Sequence, residues 1–166
     1  LIQAVEESDF YKRLAETSGF IPVLLARDLF YSRENHLKRA QAIALEIGQH
    51  LGLDAEKIKL CSMLYEIGET PFSHYGRKSI AQGLTDISIT RDSNVVAILK
   101  KIVPAANETL ISEARQLSMR NREGLLTPEA RVVLTAHEVV DKVEDTIFAL
   151  KLEIIDHLPT AFEQLF

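Results

Sequence analysis

Cysteine is almost absent from this chain, since Cys61 is the only one among 166 residues. A lone cysteine excludes an intrachain disulfide and excludes a zinc site built from several cysteines. Long apolar runs are also missing, because none approaches the ~20 residues that cross a bilayer. The sequence has no repeat, low-complexity tract or long linker, and we therefore expect residues 1–166 to form a single domain.

Positive charge is in the minority, with 19 Lys and Arg against 24 Asp and Glu and a formal net charge of −5. Such a chain has no overall field that attracts DNA or RNA, and the sequence gives no strong nucleic-acid signal. Local basic patches remain possible where Lys and Arg cluster, at Arg33, Lys38 and Arg39 and at Arg77 and Lys78. With 46% hydrophobic and 26% charged residues, the composition is typical of a soluble globular protein. The first residues lack a basic segment followed by a small-residue cleavage site, which favours a cytoplasmic protein without a membrane partner.

Strand-like alternation is scarce, whereas helical spacing recurs, and this predicts an all-α fold. Ser32 is a typical helix cap and Gly52 a typical helix stop. The segment between them places one histidine and four apolar residues on one face: His36, Ala40, Ile43, Ile47 and Leu51. Asp54 caps a second, very apolar helix that we expect to end near Gly68.

The second half of the chain has three further helical segments. Two are predicted at 93–103 and 107–119, separated by Pro104. Thr127-Pro128-Glu129 combines a cap with a proline at the first helical position, and it opens a long helix to about Asp156. We expect this helix to bury a stripe of apolar residues: Val132, Ala136, Val139, Val140, Val143, Ile147, Leu150 and Ile154.

The most informative stretch is Tyr65-Glu66-Ile67-Gly68-Glu69-Thr70-Pro71-Phe72-Ser73-His74. It resembles the central motif of the HD-domain phosphohydrolases, in which a His-Asp pair precedes a Gly, a Pro-Phe turn and a second His. Upstream, Ser32-Arg33-x-x-His36 is similar to the Arg-x-x-His opening of the deoxyguanosine triphosphate triphosphohydrolase branch of that superfamily. Weaker likenesses at 12–17, 92–99 and 139–148 follow in the order of the family. The resemblance implies an HD-domain-like helical bundle.

The resemblance also implies where a metal would bind. An HD centre uses a His, a His-Asp pair and a distant Asp to hold a divalent cation, which polarises phosphate and activates water. His36 matches the first ligand and Glu144 the last, but Tyr65 and Glu66 replace the His-Asp pair. A phenol with a pKa of about 10 is a weak ligand near neutral pH. We therefore expect no cofactor, although His36, Glu66 and Glu144 could converge on Mn²⁺, Mg²⁺ or a similar ion in a remade site.

The catalytic positions of the family have changed as well. The resemblance gives His74 the role of acid in an active enzyme, whereas Arg77 occupies the position of a catalytic Glu. A guanidinium cannot act as a base, but it can hold a phosphate through two hydrogen bonds. Arg33, His74 and Arg77, together with Asn94 at a family position, could thus form a metal-free phosphate or nucleotide site. Alternatively, Arg77 is part of the solvated start of a helix.

A purely structural interpretation of the same residues stays open. Tyr65 could fill the volume that a metal cluster once occupied. Glu66 would then need Arg33, His36, a water or a proton as its partner, because an uncompensated buried carboxylate is costly. We interpret His137 as a structural residue, although its position on the long helix could bring it near the pocket.

Two functions from different classes follow. In the first, the chain is a degenerate HD domain without phosphohydrolase activity, retained for binding a nucleotide, another phosphate ligand or a protein partner, as a homo-oligomer. In the second, it is a divergent metal-dependent phosphohydrolase acting on deoxynucleoside triphosphates or another phosphate ester. We favour the first, because positions 65, 66 and 77 have changed together, and losing one member of a catalytic unit costs orders of magnitude in rate.

Overall fold

A computed structural model describes residues 1–17, 32–70, 79, 82–83, 90–121, 123, 127–151 and 153. These residues form helices and no strand, which confirms the all-α prediction. Within them, no helix has the length and hydrophobicity that a membrane span requires. The helices are α1 (Ile2–Glu6), α2 (Asp9–Lys12), α3 (Arg33–His50), α4 (Ala55–Ile67), α5 (Arg91–Ile102), α6 (Glu108–Ser118) and α7 (Pro128–Lys151), with a 3-10 turn at Arg13–Ala15.

Side-chain caps determine where helices α3 to α6 begin. Ser32 and Asp54 start α3 and α4 by accepting hydrogen bonds from backbone N–H groups two or three residues further on, as the sequence predicts. Thr90 and Asn107 cap α5 and α6 in the same way. Gly52 follows α3 with a φ of +67°, a left-handed conformation that glycine adopts without steric cost.

Helix α4 lies at the centre of the bundle, where it contacts α1, α3, α5, α6 and α7. Every residue from Cys61 to Thr70 is buried, so the second half of this helix has no solvent-exposed side. The polar residues of that stretch, Glu66 among them, must therefore find their partners inside the protein.

The buried face of α3 differs from the predicted stripe at its C-terminal end. Leu51 is 62% exposed, because it follows the last helical residue and occupies the C-cap position. The residues that α3 does bury are His36, Leu37, Ala40, Ala44 and Gly48.

The buried face of α7 agrees with the predicted stripe only in part. Val139 and Val143 are 44% and 41% exposed, whereas His137 is completely buried. At ~100° per residue, His137 and Glu144 lie on one side of the helix, and that side faces α3. The prediction is confirmed for Val132, Ala136 and Val140, which are buried, and is wrong for Val139 and Val143 because it chose the inner face by apolar residues alone. Ile154, the last member of the predicted stripe, lies outside the described residues.

A close contact between helices lies directly after α4. Gly68 is the C-cap of α4, and a Cβ atom at this position would lie 2.7 Å from the carbonyl oxygen of Arg91. The side-chain amide of Asn94 donates a hydrogen bond to the Gly68 carbonyl at 3.3 Å. The glycine of the motif thus lets α5 approach the end of α4, and this approach brings Arg91 against Glu66.

Candidate functional site

His36 is buried where α3 meets α7. Its Nδ1 lies 2.9 Å from Glu144 Oε2, and its Nε2 lies 3.1 Å from Nδ1 of His137. An ionised carboxylate only accepts hydrogen bonds, so Nδ1 of His36 is the donor to Glu144. In the neutral ring, Nε2 then holds a lone pair that points toward His137 and the end of α4.

Glu66 is the fully buried carboxylate of the site, with none of its surface exposed. Its two oxygens lie 3.7 Å from Arg33 Nη1 and 3.5 Å from Arg91 Nη2. Burial alone would raise the pKa of Glu66, but the Arg33 and Arg91 guanidiniums outweigh burial and lower this pKa to about 2. Glu66 is therefore ionised at neutral pH.

Tyr65 and His137 stack on each other beside Glu66. Their ring centroids are 3.9 Å apart with an interplanar angle of 29°, and the guanidinium carbon of Arg91 lies 4.1 Å from the centroid of the Tyr65 ring. Burial raises the pKa of Tyr65, so the phenol stays protonated. Burial lowers the pKa of His137 to about 3, so its imidazole is neutral at physiological pH.

Two further carboxylates of α7 surround His36. Glu144, the predicted last ligand, contacts the Nδ1 side of the ring and pairs with Arg39 at 2.5 Å. Asp141 lies on the other side, with Oδ1 3.6 Å from His36 Nε2 and Oδ2 3.4 Å from Arg120. Asp145, the next residue of α7, is exposed.

The described part of the predicted phosphate site consists of Arg33 and Asn94. The Arg33 guanidinium faces Glu66, and Asn94 bonds to the carbonyl of the Gly68 turn. His74 and Arg77 lie outside the described residues. The phosphate site therefore stays a prediction.

Among the described residues, His36, Glu66 and His137 form a buried group whose ligand atoms all lie within 4.8 Å of one another. Both carboxylate oxygens of Glu66 and Nε2 of His137 are buried without a hydrogen-bond partner. Leaving such an atom without a hydrogen bond costs about 1–3 kcal/mol. The group has the residue types and the spacing that could hold a metal ion.

Sequence reasoning missed Arg91 and Asp141, and it gave His137 a structural role although it placed this residue where it could approach the pocket. The signal for the two on α7 is their spacing, because positions 137, 141 and 144 lie on one side of a helix. Arg91 has no comparable signal, since it reaches Glu66 only through the contact of α5 with the Gly68 turn.

The helical fold and the buried His-Glu-His group thus define an all-α protein with a candidate metal-binding centre. A deoxyguanosinetriphosphate triphosphohydrolase-like protein of Corynebacterium diphtheriae is 31% identical to this chain over 74 residues. The aligned stretch covers 44% of this chain and 18% of that protein. No family model matches the chain, and no solved structure matches it significantly. The likeness supports, at most, a distant relationship to this class of HD-domain protein.

Proposed function

We propose that this chain is an HD-like helical domain that does not hydrolyse deoxynucleoside triphosphates and instead binds a phosphate-bearing ligand such as a nucleotide. The observation that supports this most directly is the closure of the candidate centre. His36, Glu66 and His137 are each at most 3% exposed. A catalytic metal site needs an open coordination position for water and substrate.

Tyr65 contributes to this closure. Its ring is 1% exposed and lies between the His137 imidazole and the Arg91 guanidinium. In the HD family the corresponding position is a His that ligates the catalytic cation. Here the side chain packs as a core aromatic residue, so position 65 offers neither a ligand nor room for a substrate oxygen.

Arg33 is the first residue of the proposed phosphate site. This residue begins α3, an 18-residue helix whose N-terminus has a positive dipole that favours an anion. Arg77 and His74 of the neighbouring motif would add further donors. The name of the distant relative, a deoxyguanosinetriphosphate triphosphohydrolase-like protein, suggests nucleotides as the first ligands to test.

The test combines a turnover assay with a binding assay. We expect no release of phosphate or triphosphate from a panel of nucleotides with Mn²⁺ or Mg²⁺. In thermal-shift measurements we expect nucleotides to raise the unfolding midpoint, and Arg77→Ala to reduce this effect. Arg131→Ala is the matched control, because Arg131 is an exposed arginine on α7. The phosphate site would be refuted if nucleotides shifted the midpoint equally in the unmodified protein, Arg77→Ala and Arg131→Ala, or if they shifted it in none of them.

The second candidate function is a divergent phosphohydrolase, and the convergence of His36, Glu66 and His137 favours it. In that case His74 would act as the acid. Metal-dependent turnover that is abolished by His36→Ala would replace our first proposal with this one.

A further inference from the structure

We propose that His36, Glu66 and His137 bind one divalent transition-metal ion as a closed structural site, in which His137 supplies from α7 the imidazole that position 65 lacks. Position 137 is not among the positions that the resemblance assigns as ligands. The inference is independent of the proposed function, because a closed structural ion stabilises a fold without taking part in hydrolysis.

The distances between the three ligand atoms are the first argument. Nε2 of His36 and Nδ1 of His137 are 3.1 Å apart, and Oε1 of Glu66 lies 3.9 Å from the former and 3.7 Å from the latter. A point equidistant from these three atoms lies about 2.1 Å from each of them, which is the bond length of zinc to imidazole nitrogen and carboxylate oxygen. Asp141 Oδ1, 3.6 Å from His36 Nε2, offers a fourth ligand atom.

The orientation of His36 is the second argument. Its Nδ1 donates to Glu144, so the lone pair of Nε2 points into the group. Arg39 in turn holds the other oxygen of Glu144. A carboxylate that fixes the far nitrogen of a ligating imidazole is a recurrent feature of metal sites. Glu144 is thus a positioning residue, whereas the sequence predicted it as a ligand.

Unpartnered buried atoms are the third argument. Neither oxygen of Glu66 has a hydrogen-bond partner, although the side chain is completely buried. An ion at the equidistant point would use Oε1 of this carboxylate. Two imidazole nitrogens with one or two carboxylate oxygens suit Zn²⁺, Co²⁺ or Ni²⁺ better than Mg²⁺, which prefers six oxygen ligands.

The test measures metal binding without reference to activity. We expect protein purified without chelator to contain one equivalent of a transition metal. We also expect Zn²⁺ to raise the unfolding midpoint of EDTA-treated protein, and Co²⁺ to give the visible absorption of a four- or five-coordinate site. Glu144→Gln should weaken Zn²⁺ binding by about 10- to 100-fold, as expected for an outer partner of a ligand.

His137→Phe is the decisive variant, because it keeps a ring of similar size on Tyr65 and removes the ligand nitrogen. We expect it to weaken Zn²⁺ binding more than Glu144→Gln does. His50→Gln is the matched control, since His50 is exposed in the last turn of α3. Circular dichroism establishes that each variant is folded. The Co²⁺ spectrum is measured on the unmodified protein, so it tests the inference even if a variant does not fold.

Three outcomes would overturn the inference: no metal and no Zn²⁺ or Co²⁺ binding in the unmodified protein, unchanged binding in His137→Phe, or equal loss in His50→Gln. In the first case the Arg33 and Arg91 ion pairs alone balance Glu66. Turnover by the metal-loaded protein would refute the proposed function and leave this inference standing. A protein that neither binds metal nor turns over nucleotide would refute this inference and leave the proposed absence of hydrolysis standing.

Discussion

At the scale of single residues, the placement of Glu66 between two guanidinium groups sets the charge balance of the site. Arg33 approaches one carboxylate oxygen and Arg91 the other, and Arg91 also pairs with Glu69 at 3.0 Å. Charges this deeply buried are tolerated only when they are paired. The buried charges therefore depend on one another for their stability.

Glu66→Gln tests this dependence. The amide keeps the shape of the side chain but leaves Arg91, a buried cation, without part of its compensation. We expect the free energy of unfolding to fall by about 3–5 kcal/mol, the usual cost of breaking a buried pair by removing one partner. Urea denaturation measures the loss. Glu56→Gln is the control, and it should change the free energy of unfolding little because Glu56 is an exposed residue of α4. An equally small loss at both positions would contradict the ion-pair account.

The neutral His137 makes stability depend on pH. Burial lowers the pKa of His137 from 6.5 to about 3 in the folded state, so between these values the unfolded state binds a proton that the folded state does not. The contribution of the neutral His137 to the free energy of unfolding is complete above pH 6.5 and is lost as the pH falls toward 3. The free energy of unfolding then changes by at most about 1.4 kcal/mol per pH unit. Urea midpoints of EDTA-treated protein between pH 7 and 5 measure it. His137→Phe should flatten this slope and His50→Gln should not; parallel slopes in both variants would contradict the assignment.

At the scale of helices, the contact between α4 and α5 determines how the site is assembled. Gly68 ends α4 at a point where the backbone of Arg91 is too close for any side chain. The contact also brings Asn94 to the Gly68 carbonyl. The Gly that follows the pair at 65–66 is thus required for packing, whether or not a metal binds.

Gly68→Ala tests this contact. The added Cβ would lie 2.7 Å from a backbone oxygen, which cannot rotate away, so α5 must shift. We expect a loss of about 1–3 kcal/mol, as is usual when extra volume is forced into a packed interior. Gly83→Ala is the matched control, because a Cβ at Gly83 meets no atom within 4 Å. Thermal unfolding compares the two variants, and a neutral Gly68→Ala would show that α5 approaches less closely than described.

At the scale of the whole molecule, burial of α4 makes its single thiol a reporter of global unfolding. Cys61 is buried in the hydrophobic core, and burial raises its pKa to about 12. The thiolate is the reactive form, so a thiol with this pKa reacts slowly at pH 8. We expect the native protein to resist alkylation and to become reactive across the urea transition. Rapid labelling without denaturant would show that α4 opens without global unfolding.

Much of the fold follows from local sequence signals. Ser32, Asp54 and Asn107 start helices where the sequence predicts them, because a cap acts on backbone groups only two or three residues away. The faces of the helices were less predictable. Val139 was expected inside and lies exposed, because the inner side of α7 is selected by partners on α3 and α4 that no local spacing specifies.

The sequence by itself determined the helical character of the chain, the start of its main helices and the change of a His-Asp pair to Tyr65 and Glu66. Only the tertiary structure decided what surrounds that pair. His137, 72 positions further along the chain, stacks on the Tyr65 ring with the two ring centroids 3.9 Å apart. Arg91 reaches Glu66 through the contact of α5 with Gly68. The physical reason is that caps and periodicity act within a few residues, whereas the charge and ligand environment of a buried group is set by helices distant in sequence.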